Sequence, residues 1–260
     1  GLRIDFSGTA GVQASNLNAT PAIVQSAIVY VMRVLVGEDI PLNDGLLEPV
    51  RLVLPGGMLN PAFDDDPRKC PAVMGGNVEV SQRVVDTLFL ALNVVACSQG
   101  TMNNFVFGDA RRSYYETICG GAGAGKDFLG ASAVHTHMTN TAITDPEIFE
   151  WRYPVRLHCF AVREGSGGKG RKSGGDGIVR EVEFLEPMSV SLLTQRRMSS
   201  PEGLAGGDAG QPGAQVRIFA DGDTEPLASA SQYQAEAGER LRIETPGGGG
   251  YGLASAGPVA

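Results

Sequence analysis

Runs of glycine constrain the fold of this chain more than any other feature. The sequence has 36 glycines and 15 prolines in 260 residues, and many of the glycines lie in three runs. Glycine lets two backbone segments approach closely, and both glycine and proline interrupt helices and strands. We therefore expect short elements, many turns and close backbone approaches at the runs Gly120–Gly125, Gly165–Gly177 and Pro246–Gly252.

The run Gly165–Gly177 invites comparison with a phosphate-binding loop, and the comparison fails. Such a loop needs Gly-Lys-Ser/Thr leading directly into a helix whose N-terminal amides hold phosphate. Here Arg171 follows Gly170, and the next Lys-Ser pair runs into two further glycines. We interpret the run as the flexible, solvated tip of a long β-hairpin, where Lys169, Arg171 and Lys172 could hold an anion.

The other two runs allow two interpretations each. Small residues at Gly120–Gly125 would let the backbone come close to a ligand, or would form a tight turn between strands. The run Pro246–Gly252 has the same two interpretations. The sequence does not choose between them.

Two helices are predicted in the first half. Thr20 and Pro21 form a typical start, an N-cap followed by proline at the first helical position, and Gly37 supplies the stop. The helix Pro21–Val36 is apolar on nearly all sides, so we expect it to be buried. A second helix, Ser81–Ala96, carries an apolar stripe at helical spacing that predicts a core face.

The second half reads as β structure. Alternating or continuous apolar stretches separated by glycine turns predict its strands, while the first half has only two. The predicted strands are 2–6, 50–54, 105–107, 114–118, 155–162, 178–184, 190–193, 216–219 and 241–243. The fold class is therefore α+β, with an α/β part containing the two buried helices at residues 1–104 and a β-rich part at 105–260.

Composition excludes several classes of protein. The formal charge of −8 argues against a nucleic-acid-binding face, which needs a basic stripe. No apolar run approaches the ~20 residues of a membrane helix, and no signal peptide is recognisable. Four widely spaced cysteines suggest neither a zinc site nor a disulfide framework, and Cys119 is at most a weak candidate nucleophile. The opening residues read as cut from a longer chain, so we expect a fragment.

Two of the three histidines lie in one polar segment, Ala133–Glu147. On an extended strand, His135 and His137 would project from the same face, as a metal pair or as a base with an orienting partner. A third metal ligand could be Asp145 or Glu116. The alternative is structural: the histidines pin a loop through backbone hydrogen bonds, and Asp145 caps a short helix.

Several motifs in fixed order point to a known family. They are Asp5–Thr9, Asn16–Asn18, Gly75–Val78, Ser81–Asp86, Ser98–Asn104, Tyr114–Thr117, Gly120–Gly125, His135–Thr141, Arg152–Val155, Gly165–Gly168 and Thr245–Gly252. Together they cover essentially the whole chain and resemble the hydantoinase B/oxoprolinase family, most closely the C-terminal part of its ATP-dependent 5-oxoprolinases. No single motif would be sufficient.

The resemblance implies a reaction shared between two modules. An actin-like hydantoinase A-type module, in the same chain or a separate subunit, would bind ATP and Mg²⁺ and activate the carbonyl of a lactam by phosphorylation. The B-type module, to which this chain would belong, would complete ring opening with water. We also expect a cytoplasmic, oligomeric enzyme, and the charge and hydropathy of the chain predict no nucleic-acid or membrane partner.

The resemblance implies roles for individual residues as well. His135 or His137 would be the base for water, and Asn140 would act beside them. Donors to the substrate would be Asn103, Asn104 and Thr139, with Arg152 as partner for a substrate carboxylate. A divalent metal on His135, His137 and Asp145 is a further expectation.

Two departures from the family pattern limit these roles. Ala142 stands where relatives are expected to carry arginine, and an N-terminal motif with a Gly-Thr-His segment is absent. We therefore expect the isolated chain to be catalytically silent. Alternatives are a subunit of N-methylhydantoinase or acetone-carboxylase type, and a non-catalytic assembly module.

Overall fold

The computed structural model describes residues 1–254. The chain divides into two compact units, Gly1–Ala91 and Leu92–Ala260. The sequence pattern changes only at Phe105, and the intervening residues 92–104 lie in the second unit. None of the helices in the described part of the chain has the length and apolar character that a membrane crossing needs.

The first unit combines two helices with a small sheet. Its elements are β1 (Leu2–Asp5), α1 (Pro21–Val36), β2 (Val50–Val53) and α2 (Ser81–Ala91), with a π-helical turn, Gly76–Val80, directly before α2. β1 and β2 pair in parallel, with Leu2 opposite Val50. Both predicted strands are confirmed.

The limits of α1 are confirmed, but its predicted burial is wrong. Proline occupies the first helical position, and Gly37 adopts a left-handed φ of 67° while its N–H bonds to the Arg33 carbonyl. Only one stripe is buried: Val24, Ala27, Ile28 and Val31. Apolar side chains on the last turn, Val34, Leu35 and Val36, are exposed by 48%, 42% and 43%.

The second predicted helix ends earlier than expected. α2 stops at Ala91 because Asn93, two residues later, takes a left-handed φ of 57°. Asparagine is one of the few side chains that tolerates this conformation, which breaks the helical hydrogen-bond series. The apolar residues of the predicted last turn therefore belong to a turn rather than to the helix.

The second unit contains two antiparallel sheets and a short helix. Its elements are β3 (Asn104–Gly108), β4 (Ser113–Thr117), α3 (Pro146–Arg152), β5 (Val155–Arg163), β6 (Gly177–Phe184), β7 (Met188–Leu193), β8 (Ala214–Ile218), β9 (Thr224–Pro226), β10 (Ala230–Ala235) and β11 (Arg240–Glu244). One sheet has the order β10-β7-β3-β4, and the other has the order β5-β6-β11-β8-β9. All seven strands predicted here are present, and the α+β class is confirmed.

The core of this unit lies between the two sheets. Phe105 and Phe107 from the four-stranded sheet share one buried cluster with Val182 and Phe184 from the five-stranded sheet. The Phe107 ring lies 5.7 Å from that of Phe184, 5.8 Å from that of Phe149 in α3 and 4.9 Å from that of Tyr114. The second unit is thus a β-sandwich closed at one side by α3.

The glycine runs pack together beside this sandwich. We call the segments 120–125, 166–175, 202–211 and 246–252 the glycine bundle. Segment 246–252 is buried throughout and lies at its centre. Its amides bond outward to different neighbours: Gly248 N–H to the Gly175 carbonyl at 2.8 Å, Gly249 N–H to the Cys97 carbonyl at 2.8 Å, and Gly250 N–H to the Asp208 carbonyl at 2.9 Å.

Glycine is required here because backbone packs directly on backbone. A Cβ atom at Gly121 would lie 2.0 Å from the Gly175 oxygen and 2.3 Å from the Gly248 nitrogen. The predicted hairpin is confirmed, since β5 and β6 on either side of the run pair antiparallel. Its predicted flexible, solvated tip is wrong, since Gly168 and Gly175 are buried in the bundle. The close approach that small residues permit is to the protein's own backbone.

Candidate functional site

The segment that carries the histidines is a loop rather than a strand. It starts from a short antiparallel bridge, in which the amides of Gly120 and Val134 bond to each other's carbonyls at 3.1 and 2.9 Å. His137 has a left-handed φ of 48°, and the Thr139 amide bonds back to the Thr136 carbonyl. The strand geometry expected for His135 and His137 is therefore wrong, because the turn ends the extended conformation between them.

His135 is the histidine with the unusual environment. It is half-buried, and burial lowers the pKa of its imidazole below the ordinary value of 6.5. Its Nδ1 atom is buried and has no hydrogen-bond partner among residues 1–254. Buried polar atoms are usually paired, so the unpaired ring nitrogen distinguishes His135 from an ordinary buried polar side chain. His135 is therefore neutral near pH 7 and able to accept a proton.

The residues two positions before and two positions after His135 have strained backbone conformations. Ala133 and His137 adopt φ of 53° and 48°, in the left-handed region. A non-glycine residue there costs roughly 1–2 kcal/mol, and such conformations persist only where surrounding contacts impose them. The loop is thus held in its shape by its attachments on both sides.

The far end of the histidine loop is fastened to β4. The hydroxyls of Thr117 and Thr141 share a hydrogen bond of 2.5 Å, and the Tyr114 hydroxyl donates to Thr144 Oγ1 at 3.1 Å. The Thr144 amide donates to Glu116 Oε1 at 3.2 Å. Three residues of β4, Tyr114, Glu116 and Thr117, therefore position the loop.

Glu116 also joins the two sheets through a buried ion pair. Its carboxylate lies 3.1 Å from Arg180 Nη2, with side chains 3% and 1% exposed. The Arg180 guanidinium stacks on the rings of Phe149 and Phe160, at 5.1 and 5.2 Å. Burial raises the pKa of Glu116, whereas Arg180 and the Thr144 amide lower it. The sequence analysis considered Glu116 only as a metal ligand; the available signal for the pair was that Glu116 is the single charged residue of β4.

The predicted amide donors are engaged in the protein's own structure. Asn103 is fully buried; its Nδ2 donates to Gln99 Oε1 and the Ile118 carbonyl, and its Oδ1 accepts from Arg197. Asn104 Nδ2 donates to the Leu193 carbonyl at 2.7 Å, and its Oδ1 accepts from the Tyr115 hydroxyl at 2.8 Å. Both side chains hold the start of β3 in place.

The remaining predicted contacts differ in accessibility. Thr139 is buried, whereas Asn140 is exposed on the histidine loop. Arg152 is exposed in the last turn of α3. Of the predicted substrate contacts, Asn140 and Arg152 are thus the two that solvent reaches readily.

The predicted three-ligand metal set is not assembled. Asp145 caps α3, because its Oδ1 accepts from the amides of Glu147 and Ile148 at 3.0 and 3.2 Å. Within residues 1–254, no group of three or more His, Cys, Asp or Glu side chains is placed to hold a metal ion. The capping alternative for Asp145 is confirmed.

Cys119 is not an activated nucleophile. Its side chain is 6% exposed, and burial raises its thiol pKa to about 11. A reactive cysteine needs the opposite, a depressed pKa and access to solvent. Cys119, the weak candidate nucleophile of the sequence analysis, is therefore a residue of the packed core.

A separate cavity of about 510 Å³ lies on the four-stranded sheet. Ser189, Ser191, Gln232 and Gln234 line it together with Arg112. Its lining includes none of the predicted site residues. The histidine loop, rather than this cavity, is thus the candidate functional site.

The chain is similar to known proteins over nearly its whole length. A sequence model described as hydantoinase B/oxoprolinase matches residues 1–254. The chain is 51% identical over 248 residues to 5-oxoprolinase 1 of Arabidopsis thaliana and 47% identical over 249 residues to 5-oxoprolinase of Dictyostelium discoideum. In both cases the match covers 95% of this chain and 19% of the relative, so the chain spans about a fifth of these proteins.

A solved structure shares the fold. The ATP-dependent caprolactamase of Pseudomonas jessenii superposes with a TM-score of 0.80 at 25% identity, over 95% of this chain and 45% of that protein. The similarity thus extends over nearly the whole chain. The chain belongs to the hydantoinase B/oxoprolinase family.

Proposed function

We propose that this chain is the C-terminal part of the B-type module of an ATP-dependent 5-oxoprolinase, a cyclic amide hydrolase. The complete enzyme would convert 5-oxo-L-proline, ATP and water to L-glutamate, ADP and phosphate. Relatives named 5-oxoprolinase, at 46–51% identity, support this substrate. The chain would supply the ring-opening half of the reaction.

The environment of His135 carries the proposal. Opening an activated lactam requires a base that removes a proton from water, and a base must be unprotonated at the working pH. Burial lowers the pKa of His135, and its buried Nδ1 has no partner among residues 1–254. The imidazole would take the proton of the attacking water, while Asn140 on the same exposed loop would donate to the developing oxyanion.

ATP and Mg²⁺ would be bound by an actin-like A-type module, in the same polypeptide or in a separate subunit. The glycine runs support this division of labour, because many of their amides are bonded to the protein's own backbone carbonyls. ATP hydrolysis in that module would drive the opening of a lactam ring that is stable on its own. We further propose an oligomeric, cytoplasmic enzyme.

A divalent metal fits this chain only in part. His135 and His137 remain candidate ligands, but Asp145 is occupied as the cap of α3. Any further ligand would come from another part of the enzyme. The residues of this chain therefore supply the proton transfer without a metal-dependent step.

The test is substitution of each histidine in the full-length enzyme. His135→Asn should lower the rate of glutamate formation by about 10²–10⁴-fold, the range for losing a general base. His158→Asn is the matched control, since His158 lies on β5 and pairs with Glu183 at 2.6 Å. Equal rates in the two variants, at equal stability, would contradict the proposed role of His135.

A second candidate function is a non-catalytic assembly module. The observation that favours it is the glycine bundle, in which three of the family motifs serve packing. Under this alternative, substitution of His135 would leave turnover unchanged while substitutions in the bundle would prevent assembly. The histidine variants therefore separate the two functions.

We also propose that the 260 residues alone are catalytically silent. The ATP-dependent activation would be missing, as would any ligand that the rest of the enzyme contributes. Incubation of the purified chain with 5-oxoproline, ATP and Mg²⁺ should release no glutamate. Ring opening by the chain alone would overturn this point.

A further inference from the structure

The sheet of the first unit is incomplete as a folding element. β1 and β2 form a two-stranded parallel ribbon, and among residues 1–254 no third strand joins it. Parallel pairing is slightly weaker than antiparallel pairing, and parallel sheets normally have more strands and covered faces. Two strands alone are marginal in water. The ribbon therefore requires additional structure.

One face of the ribbon is apolar and only half covered. Leu2 and Ile4 stand opposite Val50 and Leu52, so the four side chains share one face. All four are only partly buried. The opposite face carries exposed charge, including the Arg3–Asp5 ion pair at 2.6 Å. A soluble sheet with this pattern is expected to cover its apolar side.

The outer edge of β1 is open. The amide of Leu2 bonds to the Pro49 carbonyl and that of Phe6 to the Val53 carbonyl, both at 2.9 Å, so these residues direct their backbone groups toward β2. Because backbone groups alternate along a strand, those of Arg3 and Asp5 point away from β2. Within the described residues no backbone hydrogen bond reaches them. This edge is a template for another strand.

We propose that the outer edge of β1 is a docking edge for one extended strand of the same larger polypeptide, from outside residues 1–260. The length of the relatives argues for this occupant, because the chain spans only 19% of the 5-oxoprolinases of Arabidopsis and Dictyostelium. Alternate apolar side chains of the added strand would widen the face of Leu2 and Ile4. The inference rests on the proposed larger enzyme but not on its chemistry.

Hydrogen exchange on the full-length protein tests the docking edge. If a strand occupies it, the Arg3 and Asp5 amides exchange on the order of 100-fold more slowly than in a free peptide. Exchange of both amides at free-peptide rates would overturn the proposal. Protection that disappears on dilution to the monomer would also overturn it, because the occupant would then be a second copy.

A proline substitution provides a second test. Arg3→Pro removes the outward N–H and leaves the bonds of Leu2 and Phe6 to β2 intact, since proline is tolerated at sheet edges. In the full-length protein this variant should lose protection at Asp5, whereas the control Arg3→Ala should keep it. Equal protection in both variants contradicts the docking edge. Neither readout depends on ring opening, so a failure of the proposed enzymatic activity would remain distinguishable.

Discussion

The glycine bundle and the histidine loop lie in the same unit, and both were candidate ligand sites in the sequence. In the bundle, backbone amides bond to backbone carbonyls and no side chain could be added at Gly121. In the loop, strained backbone presents side chains, and His135 keeps a buried, unpartnered nitrogen. A dense glycine motif can therefore reflect close packing of backbone on backbone rather than a ligand site. A polar loop whose backbone conformation is imposed by its contacts is the better indicator of a functional site.

The largest effect is expected in the bundle. Gly121→Ala would place a methyl group 2.0 Å from the Gly175 oxygen, against backbone that is itself packed on both sides. We expect a loss of more than about 4 kcal/mol in the free energy of unfolding, because overpacking without room to relax belongs to the severe class of substitutions. Thermal or denaturant unfolding of the full-length protein measures it.

Gly56→Ala is the matched control for this substitution. No atom lies within 4 Å of a Cβ built at Gly56, and its φ is not in the left-handed region. Its stability should stay within about 0.5 kcal/mol of the parent protein. If Gly121→Ala were equally mild, the bundle would not be a rigid scaffold.

The buried ion pair between Glu116 and Arg180, which joins the two sheets, gives the next largest effect. Glu116→Gln leaves the Arg180 charge buried without its partner, and we expect a loss of about 3 kcal/mol. Glu186→Gln, at the exposed pair with Arg112, should cost less than about 1 kcal/mol. Unfolding by denaturant compares the two, and similar losses would contradict a structural role for the buried pair.

Sequence patterns predicted the elements that have an apolar signature. The limits of α1 followed from Thr20-Pro21 and Gly37, whereas β10 was missed because its sequence, ASQYQA, presents polar residues to the outside of an edge strand. The burial of α1 was overestimated because the composition of a helix does not specify which of its sides pack against other elements. Packing partners distant in sequence decide that question.

The candidate site was predicted less well than the fold. The histidine segment was identified, but its strand geometry was not, because the left-handed turn at His137 has no glycine to announce it. Asn103 and Asn104 were assigned to substrate, although their amides satisfy buried backbone and side-chain groups. Such pairings involve partners up to 94 residues away in the chain, which spacing along the sequence cannot reveal.

Substitutions of Asn103 and Asn140 compare a buried structural residue with an exposed residue of the histidine loop. Asn103→Ala removes three hydrogen bonds, two of them buried, and puts alanine at a φ of 47°, so we expect about 2–3 kcal/mol of lost stability. Asn140→Ala, at an exposed position, should leave stability within about 0.5 kcal/mol and lower turnover. Denaturant unfolding and glutamate release are measured on both variants. The reverse pattern would contradict the assignment of Asn103 to structure and Asn140 to the site.

The smallest effect concerns the cysteines. Cys119 should stay protonated at pH 8, since burial raises its thiol pKa to about 11, and the buried Cys97 should be equally inert. Cys70 and Cys159, which are partly exposed, should react with a thiol reagent. Mass spectrometry after brief labelling of the folded protein identifies the modified residues. Rapid modification of Cys119 would contradict its place in the core.

The pH dependence of ring opening tests the role of His135 most directly. A base must be neutral, so with its pKa lowered by burial the midpoint of the acid decline in rate should lie below the ordinary histidine pKa of 6.5. Stability changes in the same direction, because the unfolded state binds more protons in this range. The acid decline should remain in His137→Asn and vanish from the residual activity of His135→Asn. An unchanged decline in His135→Asn would contradict the assignment of the base.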